Sequence, residues 1–342
     1  MADGSLSPAA VPPAFTQAAP APQVDLRPLT TSELIDRGFA LYRAHFAGLL
    51  LLALLCQSAP LLGQIIITAL GLNPPQDELL DKPAAYFTKL GVIMAITLAA
   101  QVIVFCFEVV ITFYIADAYL GKIPSVKESL RRFTTCVLAS IWTCVLNWSL
   151  IGLTFIFPAL AYAAIFFYAH FHPPQTFLPA LVFSIAALLL FVASFAPVLV
   201  VFMRLMLTVP ALALEKRPGW KAVKRSTALV RYDPGLGILY WGEMRLSFLL
   251  LPLFIIEMLI LSLTSLPVVL QQIGEFIRHG SSGQMALPSD SIMIISQILT
   301  FLAISLILPL YPIATTLFYY DIRIRREGFD LEFMAGQLRD RK

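Results

Sequence analysis

Charge is scarce in this chain. Asp, Glu, Lys and Arg make up 13% of its 342 residues, about half the share of an ordinary soluble domain. That excludes a water-facing surface over most of the sequence. Cysteine is scarce too. Cys56, Cys106, Cys136 and Cys144 lie in or beside apolar stretches without CxxC spacing, which reads as small hydrophobes rather than a disulfide framework or sulfur-rich metal site. His170 and His172 share one short loop, but a metal site needs three or four ligands and nothing else is placed to help, so the loop reads as solvated. Residues 281–283 read as a flexible outer turn. A basic start followed by an apolar core is missing from the N-terminus, so no signal peptide is expected. Nucleophile elbow, P-loop, HExxH and GxGxxG patterns are missing from the contexts that would give them meaning. No cofactor is expected, and the chain is not expected to be an enzyme. A net charge of +3 is too small to argue for nucleic acid.

Apolar residues are abundant instead, at 58%, with a mean hydropathy of +0.81. Six long apolar segments (47–70, 90–118, 136–169, 178–212, 236–269 and 291–320) can each cross a hydrocarbon core of about 30 Å. The reading is an all-α, polytopic membrane bundle of six spans. An Ala/Pro-rich tail, 1–28, is expected to be disordered. The membrane domain then covers 29–334, and a C-terminal tail 335–342. Pro60, Pro158, Pro197, Pro252, Pro309 and Pro312 fall in the apolar segments and predict kinks.

Three short amphipathic stretches punctuate the spans. Thr30 and Glu33 have capping-box spacing before a helix with Ile35, Phe39, Tyr42 and Phe46 on one face. Val126, Leu130, Phe133 and Val137 form a second stripe, and Trp220, Val223, Thr227 and Val230 a third. Each stretch carries charge before a small residue: Gly38, Ser129 and Ser226. One surface helix plus two spans, repeated three times, fits that recurrence. Lys and Arg crowd the N-terminal segment, the loops after spans 2 and 4, and the C-terminus. The positive-inside rule then predicts both termini in the cytoplasm of a bacterial inner-membrane protein, with Tyr319 and Tyr320 as an aromatic belt.

Charges inside spans are costly and mark candidate sites. Glu108, Arg204, Glu243, Arg245 and Glu257 are the candidate intramembrane polar site, with Asn147, Gln101 and Gln297 as further polar points. They read either as a polar path through the bundle or as pairs stapling helices, Arg204 with Glu243 or Glu108. Glu257, among apolar neighbours, faces a cavity or carries a proton. The second candidate is a cytoplasmic cap in LFYYDIRIRREGFDLEF, Leu317 to Phe333. Asp321 with Arg325 and Arg323 with Glu327 stand four apart on a helix. Gly328 suits a helix C-cap. Phe329 and Leu331 are expected to fold back on the bundle, leaving Asp330 and Glu332 wet. Tyr320 begins this cap.

The stretch YYDIRIRREGFDLE resembles the C-terminal signature of the bacterial membrane domain of glycerophosphoryl diester phosphodiesterases and the related YciC-like six-span families. VPALALEKRPGWKAVKRSTALV, from Val209, is similar to that family's proline–acid–basic-helix segment through Pro210, Glu215, Ala222, Arg225, Ser226 and Leu229. The surface helix with Asp36 and Tyr42 fits as well, so the resemblance covers roughly 28–334. It implies a six-span membrane domain. The activity that names the family belongs to a separate soluble barrel with an early His-Arg pair, which this sequence is expected not to carry. Three functions follow as expectations. The first is a non-catalytic scaffold or accessory subunit of an envelope assembly. The second is a carrier or channel for a lipid-like or small polar solute. The third, through the family name, is an intramembrane enzyme acting on phospholipid. Membrane lipids, anionic lipid at the cytoplasmic face and an envelope protein are the expected partners.

Overall fold

The computed structural model describes residues 26–72, 81–171, 176–231, 241–279 and 289–340. Most of the expected N-terminal tail, His172 and the 281–283 turn lie outside them. Every regular element among the described residues is a helix, and six helical segments are long and apolar enough to cross a membrane.

The first unit opens with α1 (Thr31–Ala44), breaks at His45, and continues as α2 (Phe46–Ala69) and α3 (Pro83–Tyr119). The second has α4 (Val126–Thr134), then one crossing split into α5 (Val137–Thr154) and α6 (Ile156–Phe171). Its return crossing is split into α7 (Phe177–Ser194), α8 (Ala196–Leu205) and α9 (Thr208–Glu215). The third unit has α10 (Trp220–Val230), α11 (Gly242–Thr264), α12 (Leu266–His279), α13 (Asp290–Ile307) and α14 (Leu310–Glu327), followed by α15 (Phe329–Asp340). The threefold recurrence read from the sequence is thus the order of the fold: a short surface helix, then two crossings.

Proline explains the broken crossings. Pro158, Pro197, Pro210, Pro267 and Pro312 each fall in the first turn of a new segment, where the missing N–H has no intrahelical partner to lose. Pro60 and Pro252 stay inside α2 and α11. The expected fifth span, 236–269, is shorter in the structure. It ends at Thr264, and α12 turns away as a separate helix that periodicity alone had merged with the span.

Burial is concentrated at one end. The larger core joins Leu29, Leu34, Leu49, Leu52, the Val110–Tyr119 end of α3, Leu246 to Leu253, and Ile313 to Ile322. α3 is central, packing against α2, α4, α5, α9 and α14. The opposite halves are bare: Pro158 is the buried residue of α6, and none of the described residues of α7 is buried. Such apolar exposure suits lipid as solvent.

The surface helices pack through their small residues. Gly38, Ser129 and Ser226 are all buried. A Cβ at Gly38 would sit 3.4 Å from Ile313, so glycine sets how closely α1 lies on α14. Leu34 and Gly38 are the buried residues of α1; of the apolar stripe, Ile35 and Tyr42 pack partly against the core, whereas Phe39 and Phe46 are exposed. Trp220 of α10 is likewise exposed, not buried with Val223 and Val230. Tyr319 and Tyr320 are core residues, 0% and 3% exposed, rather than an interfacial belt.

The start of α1 is fixed by the capping box. Thr30 Oγ1 accepts the Glu33 N–H at 3.3 Å, and Glu33 Oε2 accepts the Thr30 N–H at 2.7 Å. The Thr30 amide, then Arg27, holds the Glu33 carboxyl at about 2 against its ordinary 4.5. A depressed carboxylate stabilises the fold above its ordinary pKa and loses that contribution as pH falls through the depressed value. Hydrogen-exchange protection over Leu34–Gly38 should therefore decline as pH drops from 4.5 toward 2. Thr30→Ala should lower it near neutral pH by about 1 kcal/mol. Equal protection in wild type and Thr30→Ala would show that the box does not hold the helix.

Candidate functional site

The densest polar cluster ties the start of the described chain to its end. Asp321 is fully buried on α14. Its Oδ1 accepts the Leu29 N–H at 2.7 Å, and its Oδ2 accepts Arg245 Nη2 at 3.0 Å and Arg325 Nε at 2.9 Å. The Leu29 carbonyl in turn accepts from Arg245, at 3.1 Å, and from Arg325. Leu29, ahead of α1, is therefore held through both its backbone N–H and its carbonyl by an Arg–Asp–Arg set from α11 and α14. The set is closed: each acceptor has its donor, as a buried carboxylate requires.

A second cluster lies beside it. Glu215 at the end of α9 accepts Arg225 Nε at 2.7 Å, Arg217 Nε at 2.8 Å and the Tyr319 hydroxyl at 2.6 Å. Arg225 also reaches Glu327 at 2.6 Å, and Arg323 reaches the same carboxylate at 3.1 Å. Its hydrogen bond to Glu327, then that to Glu215, holds the Arg225 guanidinium above its ordinary pKa. Arg323 stacks over Phe329 at 4.4 Å, and Arg326 donates to the Ala228 carbonyl. Ser226 repairs the break between α8 and α9. It donates to the Arg204 carbonyl at 2.6 Å and accepts the Leu207 N–H at 3.1 Å. Pro210 is buried in the first turn of α9. A third pair, Arg132–Asp117 at 2.9 Å, joins α4 to α3.

The cap ends as its spacing suggests in part. Gly328 is left-handed, at φ 64°, and its N–H bonds the Ile324 carbonyl. Tyr320 stacks on Tyr119 at 5.2 Å and meets Phe329 at 5.4 Å. Leu331 departs from expectation. It is exposed while Asp330 is half-buried, because 329–340 forms a helix instead of an extended strip whose alternate residues would turn inward.

The candidate intramembrane residues do not gather. Arg204 pairs with Glu243 at 2.8 Å. Arg245 belongs to the Asp321 cluster. Glu257 accepts the Tyr311 hydroxyl at 2.5 Å, a partner on another span that accounts for its place among apolar neighbours. Glu108 is half-buried on α3, and its carboxyl has no hydrogen bond or ion pair among the described residues. Asn147 Oδ1 and Gln297 Oε1 are buried without a partner. Gln297 borders a small open cavity of about 170 Å³ between α2 and α13, with Gln57, Gln64, Ser296 and Thr300. No group of three metal-ligating side chains occurs among the described residues.

Sequence reasoning missed Leu29, whose role lies in its peptide group and has no side-chain signal. It missed Thr143 too, whose hydroxyl accepts the Gly219 N–H at 2.8 Å. No family model, curated protein or solved structure matches the chain.

Removing one partner from a buried ion pair strands the other. Asp321→Ala should cost roughly 3–5 kcal/mol, read as a lowered unfolding midpoint of purified protein in lipid. Asp330→Ala should stay within about 0.5 kcal/mol. A loss below 1 kcal/mol at Asp321 would show that the Arg245–Asp321–Arg325 set does not hold the bundle.

Proposed function

We propose that this chain is a non-catalytic scaffold or accessory subunit of an envelope assembly. It would sit in the bacterial inner membrane with both termini in the cytoplasm. The observation that supports this is the contrast between its ends. At the basic end, ion pairs and hydrogen bonds tie α3 to α4, α9 to α10, α10 to α14, and α11 and the chain ahead of α1 to α14, while Arg37 of α1 donates to Tyr119 of α3. Within the spans, among the described residues, Arg204 pairs with Glu243, Glu257 pairs with Tyr311, and the Glu108 carboxyl stands alone. A rigid face on a lipid-embedded bundle is suited to holding something in place. The positive-inside rule supports the orientation, and the resemblance to a phosphodiesterase membrane domain is consistent with a part that acts alongside an enzyme.

A carrier of a lipid-like or small polar solute is the second reading. The cavity at Gln57, Gln64 and Gln297 and the unpaired Glu108 favour it. Phospholipid chemistry within the membrane rests on the resemblance alone.

Purification from native membranes into nanodiscs, followed by mass spectrometry of everything retained, separates these readings. A stoichiometric protein partner is expected, and its retention should be the same for wild type, Glu108→Gln and Gln297→Leu. A lone chain holding one enriched small molecule, lost in Glu108→Gln or Gln297→Leu, would overturn the scaffold in favour of the carrier. Turnover of glycerophospholipid by purified protein would overturn it in favour of the enzyme.

A further inference from the structure

The turn from α9 into α10 opens a cleft of about 560 Å³ lined by Lys216, Arg217, Pro218, Lys221, Lys224, Arg225 and Ala228. Every charged side chain in that lining is a cation. The nearby acids are already paired: Glu215 with Arg217, Arg225 and Tyr319, and Glu327 with Arg225 and Arg323. Lys216, Lys221 and Lys224 are exposed and make no ion pair among the described residues.

The other two surface helices both contain acids. α1 carries Glu33 and Asp36, and Glu33 pairs with Arg27. α4 carries Glu128, which pairs with Arg131 and Arg132. α10 contains no acid at all. It is the unit that departs from the pattern of the other two, and its excess charge collects in a cleft rather than spreading over a face.

The cleft is also built. Lys216 is left-handed, at φ 54°, the one non-glycine with positive φ among the described residues. Gly219 follows at φ 57°, where a Cβ would lie 2.6 Å from the Trp142 ring. Thr143 pins the Gly219 amide. These constraints hold the corner, and with it the backbone that carries the lysines. Trp142 and Trp220 stand beside it, 61% and 50% exposed. Exposed tryptophans next to a span mark the headgroup level of a bilayer.

We infer that this cleft binds the phosphate of an anionic phospholipid headgroup in the leaflet on the basic side. Lys216, Lys221 and Lys224 supply the charge, and the paired arginines form the floor. A polybasic site at that depth gains affinity with each cation near the surface.

The test is native mass spectrometry of the full chain, released from detergent with phosphatidylglycerol or phosphatidylcholine added. Phosphatidylglycerol should bind and phosphatidylcholine should not. The triple variant K216Q/K221Q/K224Q should lose affinity on the order of a hundredfold, with its unfolding midpoint in the absence of lipid no lower than that of wild type, because the three side chains make no ion pair and repel one another. K122Q/K127Q, which removes two lysines from the α3–α4 segment, should bind as wild type does. Equal binding of both lipids, or no loss in the triple variant, overturns the inference. So does an equal loss in K122Q/K127Q, which would mean diffuse attraction. Inorganic phosphate should not displace the lipid. If phosphate binds with the same lysine dependence and lipid does not, the ligand is a soluble phosphate and the lipid assignment falls.

Discussion

A carboxylate with no exposed surface dictates much of this structure. Taking Asp321 out of water costs several kcal/mol unless charge and hydrogen bonds return it. Two guanidinium groups and one peptide N–H do so here. The cost of an unpaired Asp321 excludes arrangements in which α11 slides along α14, and equally those in which the chain ahead of α1 lifts away. A hydrophobic contact would tolerate such shifts, because apolar burial has little direction. The buried charge therefore fixes position more than it adds stability, and the Leu29 peptide is what it positions.

The same device recurs at each return crossing. Asp117 ends α3 and meets Arg132 on α4; Glu215 ends α9 and meets Arg225 on α10. In both cases the acid at the end of one unit holds the surface helix of the next. Asp321 is the buried acid of the return crossing in the third unit, six residues before the end of α14. It turns instead to the chain ahead of α1, the surface helix of the first unit. The three units are thus joined in a cycle whose last link spans the whole described chain. Because every link lies at the basic end, packing is dense there and sparse at the other. The bare flanks of α6 and α7 follow from that arrangement: among the described residues, their main contacts are with each other and with the adjoining segments α5 and α8.

Much of this was legible in the residues. Hydropathy gives the six crossings because backbone in lipid must be helical. The capping box at Thr30, the four-residue spacing of Asp321 with Arg325, and Gly328 as a stop are local features, and local features read well. The recurrence of Gly38, Ser129 and Ser226 exposes the repeat because a surface helix lying on a span needs a small residue at closest approach. What stayed hidden is non-local. Whether Phe39 or Leu34 faces inward depends on α14. Whether Tyr319 is belt or core depends on Glu215, far earlier in the chain. Glu257 looked stranded until Tyr311 was placed beside it. Proline positions signalled interruption but did not say that the interruption would be a break with a new first turn.

A repeat also makes departures informative. Where three units share one architecture, the features they share serve the architecture, and a feature held by one alone needs another reason. The acid-to-surface-helix link, the small buried residue and the short helix are shared, so they explain the bundle. The acid-free α10, the left-handed Lys216 and the tight Gly219 corner occur in one unit only. Closing the ring does not require them, since α1 and α4 take part in it with acids in their own sequence. Holding three unpaired lysines together disfavours the folded state through mutual repulsion, and an anion in the cleft would relieve that repulsion. On this argument the shared elements of the basic end make it rigid, and the one unshared corner gives it a ligand.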